Sequence, residues 1–296
     1  MRTLPELFEK AATSPQACVA VAVAEDAHVL EAVGIAWEQG IANFILVGNE
    51  EKIRSIAAIL HLNLSPFDVI HEHDPILACQ RAVSLVAKGH ATALMKGLVD
   101  TSVIMRAALD KEKGIRTNRK LTHLAIFELP TYPKLLFVTD AAINIAPDLD
   151  TKQDIIQNAA DGLNNLGIPN PKIALLAAKE KVDEKMPVTV EYDELVKRAK
   201  IGLISRCIVD GPLALDNAVS LESAQIKGIT GEVAGDADIL VCPDIEAGNI
   251  LYKSLAFLAN GRNGGVVLGA KRPIILTSRA DNSDSKLISI ALGILL

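Results

Sequence analysis

Aromatic side chains are scarce in this chain: one Trp, three Tyr and six Phe among 296 residues. Half the residues are nonetheless hydrophobic, so any core has to be built from Val, Ile, Leu and Ala. That is the composition of a buried parallel sheet covered by helices. Cysteine is also sparse. Cys18, Cys79, Cys207 and Cys242 are far apart and form no C-x-x-C pair, which argues against a disulfide framework and a zinc site. A reduced, cytoplasmic compartment fits that usage. Basic residues are outnumbered, and the net charge of −6 disfavours nucleic acid or an anionic membrane as partner. No apolar run reaches the roughly 18 residues of a membrane span. The opening MRTLPELFEKAATSPQ lacks the apolar core of a signal peptide.

Several fingerprints are missing as well. There is no G-x-x-x-x-G-K-[ST], no G-x-G-x-x-G and no G-x-S-x-G. His71-x-His73 has no third ligand nearby in sequence, and the other histidines are scattered, so they read as surface or structural groups and no metal is expected.

What is present is alternation. Short apolar runs at 17–24, 43–48, 68–71 and 91–95 read as strands. Helical patterns follow at 26–39, after 50, at 75–87 and at 101–109. Ile53, Ile56, Ala57 and Leu60 form one helical stripe. Repeated units of this kind predict βαβ connections on a parallel sheet. The rhythm changes after Lys111-Glu112-Lys113-Gly114. Runs 121–127 and 135–138 are separated by Pro130-Thr131-Tyr132-Pro133, too short for a crossover helix, which predicts an antiparallel hairpin. Alternation then resumes, with helices at 151–166, 189–200, 214–222, 248–260 and 284–295 and strands at 172–178, 206–210, 237–242, 265–269 and 273–277. Asp148 is placed to cap the helix beginning near Thr151. The expected fold is α/β in two lobes: 1–115 with 282–296, and 116–281.

In open α/β sheets ligands bind at the carboxyl ends of strands. Three loops at such ends combine a cation with hydroxyls or glycine. In the first, Lys96-Gly97 ends a strand, Asp100, Thr101 and Ser102 open a helix, and Arg106 lies one turn on. In the second, Pro243-Asp244 ends a strand, Gly248-Asn249 opens a helix and Lys253 follows. In the third, Ser278-Arg279 follows a strand, and Asp281, Ser283 and Asp284 precede the last helix. Each loop alone is equally readable as a strand-to-helix turn with a capping residue. Together they suggest a binding site for a phosphorylated or otherwise anionic ligand.

The motifs MKGLVDTSVIMRAAL, FVTDAAINIAPDL, DGPLALDNAVS, PDIEAGNILYKS, GAKRPI and TSRADNSDSKL, in this order, resemble the phosphate acyltransferases that interconvert acyl-CoA and acyl phosphate. MKGLVDTS and the TSRAD ending look more like the butyryl than the acetyl branch. The resemblance implies a two-lobed α/β/α subunit like the isocitrate and isopropylmalate dehydrogenases, with mainly parallel sheets and the active site in the cleft between the lobes, assembled as a homodimer. It implies acyl-CoA, inorganic phosphate and acyl phosphate as partners, with coenzyme A a substrate and no cofactor or metal. It assigns Arg279 to the acyl phosphate, Ser278 to the thiol and Arg106 to a second phosphate contact. Lys96, Thr101, Ser102, Asn249 and Lys253, read from the loops themselves, are the further candidate phosphate or CoA contacts. The family's proposed base lies seven residues past the serine, where this chain has Ser285. Asp284, one place earlier, is then the candidate, with Asp281 the alternative. Two other classes stay open beside it: a dehydrogenase of the same architecture, and a silent CoA- or acyl-phosphate-binding regulator.

Overall fold

The structure is a computed structural model that describes residues 1–14, 17–277 and 281–296. The elements run in chain order as α1 (Leu4–Thr13), β1 (Cys18–Ala22), α2 (Ala27–Glu38), β2 (Asn43–Gly48), α3 (Glu50–Ile59), β3 (Asp68–His71), α4 (Pro75–Ala87), β4 (Ala93–Lys96) and α5 (Thr101–Ala108). The middle of the chain holds β5 (Thr122–Glu128), β6 (Leu136–Thr139), α6 (Leu149–Asn165), β7 (Lys172–Leu176), α7 (Pro187–Lys200), β8 (Ile208–Leu213), α8 (Leu215–Val219), α9 (Leu221–Ile226), β9 (Ile239–Val241) and α10 (Ile245–Lys253). A π-helical turn at Ser254–Leu258, β10 (Arg262–Leu268), β11 (Ile274–Ile275) and α11 (Ser283–Leu295) complete it.

Contacts divide the chain into two compact units. The first comprises Leu4–Arg119 with Asn263–Leu296, the second Lys120–Arg262 with Met1–Thr3. Strands β10 and β11 had been expected in the second lobe. Nearly all of β10, and all of β11, count with the first unit, because β11 pairs in parallel with β4 through Ile274–Leu94 and Ile275–Met95.

In the first unit the strand order is β3-β2-β1-β4-β11-β10, and only β10 runs antiparallel to its neighbour. Its core is aliphatic, with Val19, Val21, Leu46, Leu94 and Ile275 buried. Polar caps start the helices. Asp26 accepts from the Val29 N–H at 2.9 Å, and Asp74 from the Ile76 N–H at 2.7 Å with Pro75 in the first turn. In the second unit the order is β5-β6-β9-β7-β8. Strands β5 and β6 form the expected antiparallel pair; β6, β9, β7 and β8 are parallel. Phe127, Val138, Ala174 and Leu240 lie in one apolar cluster there.

Two helices depart from the sequence expectation. The pattern over 214–222 is two short helices, because Ser220 leaves helical geometry and accepts from the Ser223 N–H at 3.2 Å, ending one and capping the next. The pattern over 248–260 begins earlier, at Ile245, because Asp244 is the cap.

Candidate active site

Strands β1 to β4 and β11 run the same way, so their carboxyl ends share one edge of the first unit. There β4 passes close beside β1. A Cβ on Gly97 would lie 2.1 Å from the Val23 carbonyl oxygen, so no larger residue fits that approach. Gly97 and Leu98 donate their N–H groups to the Ala22 and Val23 carbonyls, each at 2.8 Å.

Lys96 is buried, at 4 % exposure. Its ammonium donates to the carbonyls of Gly97 at 3.2 Å and Val99 at 3.3 Å. The cation expected to meet phosphate thus shapes the loop that leads into α5. Thr101 and Ser102 are exposed in the first turn of α5, where backbone N–H groups lack intrahelical partners. Asp100 occupies the N-cap position without a side-chain capping bond. Arg106 is exposed and lines a groove of about 790 Å³ between α4 and α5. Gln80, Ser84, Lys88 and Lys113 line it too.

The third loop is described only in part. Ser278 and Arg279 lie outside the described residues. Beyond them, Asn282 caps α11 by accepting from the Ser285 N–H at 2.9 Å, which places Asp284 in the first helical turn and Asp281 just before the cap. Neither Ser283 nor Asp284 is the cap.

In the second unit Asp244 accepts from the Ala247 N–H at 2.8 Å, so Gly248 and Asn249 sit inside α10 instead of opening it. A Cβ on Gly248 would fall 2.2 Å from the Asp140 carbonyl oxygen. Asn249 donates to the Ala141 carbonyl at 3.2 Å. Its amide fastens the helix to the loop after β6. Lys253 is exposed on α10.

That loop is organised by a residue the sequence reading passed over. Asp140 is buried, and one carboxylate oxygen accepts from the Ala142 and Ile143 N–H groups, each at 2.9 Å. The other accepts from the His123 N–H at 3.1 Å and the Asn144 amide at 2.7 Å. The signal was an acid directly after an apolar strand, inside a motif quoted only for its family resemblance.

The cysteines are held as thiols. Burial pushes Cys79 and Cys207 up to about 11, and Cys242 up to about 12. This disfavours an acyl-cysteine intermediate. His71 accepts from the Glu50 N–H at 3.2 Å, and the His73 ring meets the Asn49 amide at 3.0 Å. Among the described residues no group of three His, Cys, Asp or Glu could hold a metal ion. Among them, too, no helix is long and apolar enough to cross a membrane.

The comparisons with known proteins decide the family. The family model described as Phosphate acetyl/butaryl transferase matches residues 3–78 and 77–294. The chain belongs to this family. It is 44 % identical over 295 residues to a phosphate butyryltransferase from Clostridium acetobutylicum, covering 100 % of this chain and 98 % of that one. A phosphate acetyltransferase from Thermotoga maritima is 43 % identical over 275 residues, covering 93 % of each. Among solved structures, a branched-chain phosphotransacylase from Enterococcus faecalis V583 superposes with a TM-score of 0.84 at 35 % identity, covering 95 % of this chain and 98 % of that one.

Proposed function

We propose that this protein interconverts butyryl-CoA and phosphate with butyryl phosphate and CoA. The observation that carries the reading is the 44 % identity to a phosphate butyryltransferase across the whole chain. In the acyl phosphate direction, the CoA sulfur attacks the carbonyl carbon, a C–S bond forms, and the C–O bond to phosphate breaks with its electron pair leaving on phosphate. The thiol proton passes to a carboxylate. A free thiol near pKa 8.5 is only partly ionised at neutral pH, and a positioned base contributes roughly 10²- to 10⁴-fold.

The larger demand is electrostatic, because an oxyanion and a departing phosphate develop charge together. Arg279 and Arg106 are the proposed donors, together with the first turn of α5 at Thr101 and Ser102. Arginine suits the task because its planar fork meets phosphate at two points. Ser278 positions the thiol, and Asp284 is the proposed base, with Asp281 as alternative. Lys253 remains a candidate CoA contact. Lys96 and Asn249 act through the loops they hold. CoA is a substrate in this scheme, and neither cofactor nor metal is required.

Ile250 on α10 and Phe257 and Leu258 on the π-helical turn are exposed, the last at 85 %. An apolar face of this kind is suited to a second copy of the chain, so a homodimer is the proposed assembly. Four unpaired thiols suit a reducing cytoplasm.

Acetyl transfer is the second reading, favoured by the 43 % identity to the Thermotoga protein. Apolar pockets separate one methylene by only about 1–3 kcal/mol. The deciding assay measures thiol release on adding phosphate to acetyl-, propionyl-, butyryl- and isobutyryl-CoA. Fastest release from the four-carbon substrates is expected. Fastest release from acetyl-CoA would overturn the butyryl assignment, and no release from any would overturn the reaction.

A further inference from the structure

Lys286 stands where packing alone would not favour a lysine. It lies in the first turns of α11, four places past the Asn282 cap, with 3 % exposure. A cation near a helix N-terminus opposes the helix dipole, and burying it costs solvation. A leucine or methionine would fill the same space without either cost. Burial pushes the ammonium down from its ordinary value, and the carboxylates of Asp26 and Asp281 oppose that shift.

Its hydrogen bond explains what the lysine does. The ammonium donates to the Asp281 carbonyl at 2.6 Å, reaching back over the cap to the chain outside the helix. The helix itself is held from below. Ser289 accepts from the Gly265 N–H at 2.9 Å and donates to the Ser285 carbonyl at 2.7 Å. Added Cβ atoms at Gly264 and Gly293 would lie 2.7 Å from Ile288 and 2.5 Å from Ile275, so α11 sits close on β10 and β11. The turn from Asp281 to Asp284 is therefore fixed at its helical end by the cap and at its outer end by Lys286.

We propose that Lys286 is a positioning residue for acyl transfer: by holding the Asp281 carbonyl it sets the orientation of the Asp281–Asp284 turn, which carries both candidate acceptors of the thiol proton. This role rests on the phosphate acyltransferase reading. Geometry matters here because a misplacement of about 1 Å at a reacting group can cost on the order of 10²-fold in rate.

The test compares the full-length enzyme with Lys286→Met, Lys286→Gln and Lys286→Arg. Met keeps the bulk and loses the donor, Gln keeps a neutral donor, and Arg keeps donor and charge. In Lys286→Met, kcat falls by roughly tenfold or more, while KM for phosphate and butyryl-CoA stays within about threefold. The solvent deuterium isotope effect on kcat rises, because proton transfer becomes more limiting, and Lys286→Arg recovers part of the rate. Unchanged kcat in a folded Lys286→Met overturns the role. So does a raised KM at constant kcat, which would make Lys286 a substrate contact. If Lys286→Met does not fold, Lys286→Gln and Lys286→Arg carry the same readouts, and wild-type kcat in Gln with loss in Arg overturns the role. Wild-type enzyme that releases no thiol from any acyl-CoA overturns the reaction itself, whereas active wild type with an unaffected variant overturns only the part given to Lys286.

Discussion

Asn144 donates its side-chain amide both to the Asp140 carboxylate, at 2.7 Å, and to the Leu121 carbonyl, at 2.9 Å. The two ends of the β5–β6 pair and the loop that follows are thereby tied together. The carboxylate also receives the N–H groups of His123, Ala142 and Ile143. In Asp140→Ala these donors lose their acceptor, and each one left unsatisfied away from water costs about 1–3 kcal/mol. Asp140→Ala is expected to lower unfolding free energy by about 3 kcal/mol or more, read by urea denaturation. A loss below about 1 kcal/mol would show that water replaces the carboxylate.

Arg279→Ala tests the electrostatic part of the reaction. Removing one donor to developing charge costs about 3 kcal/mol in barrier, on the order of 10²-fold in kcat. Thermal stability should stay close to wild type. Unchanged turnover in the folded variant would remove Arg279 from the mechanism. Arg106→Ala, on the α4–α5 groove, is expected to lower kcat as well, because Arg106 is the second proposed donor to the same developing charge.

The choice between the two acids is open to a direct comparison. Asp284→Asn should reduce the thiol-dependent rate by roughly 10²-fold or more, with Asp281→Asn milder. The reverse order would assign the base to Asp281, the residue whose carbonyl Lys286 holds.

Thiol titration supplies a pH prediction. Burial pushes Cys79 and Cys207 up to about 11 and Cys242 up to about 12, above the ordinary thiol range. Alkylation of the native protein at neutral pH should be far slower than after unfolding. As pH rises above the ordinary thiol value of about 8.5, the unfolded state releases these protons first. Stability contributed by the buried thiols is therefore complete below that value and is lost as pH climbs through the folded values near 11. Cys→Ala variants, measured by denaturant midpoint between neutral and alkaline pH, should show a shallower decline. Each single variant should also retain transferase activity.

Tyr192 offers a stabilising change. Its ring is buried, and its hydroxyl has no hydrogen-bond partner among the described residues. Tyr192→Phe removes a desolvated hydroxyl, so unfolding free energy should stay level or rise by up to about 1 kcal/mol. A clear loss of stability would reveal a bound water that the hydroxyl holds.

Much of the fold is legible in the sequence because its signals are local. The aliphatic runs of β1, β2 and β6, and the acids Asp26, Asp74 and Asp148 just before helices, need only neighbours in the chain to act. Asp148 caps α6 as expected, accepting from the Thr151 N–H at 2.8 Å. The start of α10 was misread for a reason of the same kind. Asp244 and Asn249 both favour caps, and Asp244 lies nearer the strand end. Lys96 was legible as a cation at a strand end, but not as one turned onto its own loop. Burial decides that, and burial depends on segments far away.

The sequence by itself determined the alternation of strands and helices, the aliphatic core and the family, since these follow from periodicity, composition and ordered motifs. Tertiary structure decided how the polar residues other than the helix caps are used. Asp140 became a hub because His123 and Asn144 meet it from separate segments. Asn249 was drawn to Ala141, and Lys286 was buried with its ammonium on the Asp281 carbonyl. A hydrogen bond is a relation between positions in space, and a buried donor takes whichever acceptor the packed chain leaves within reach.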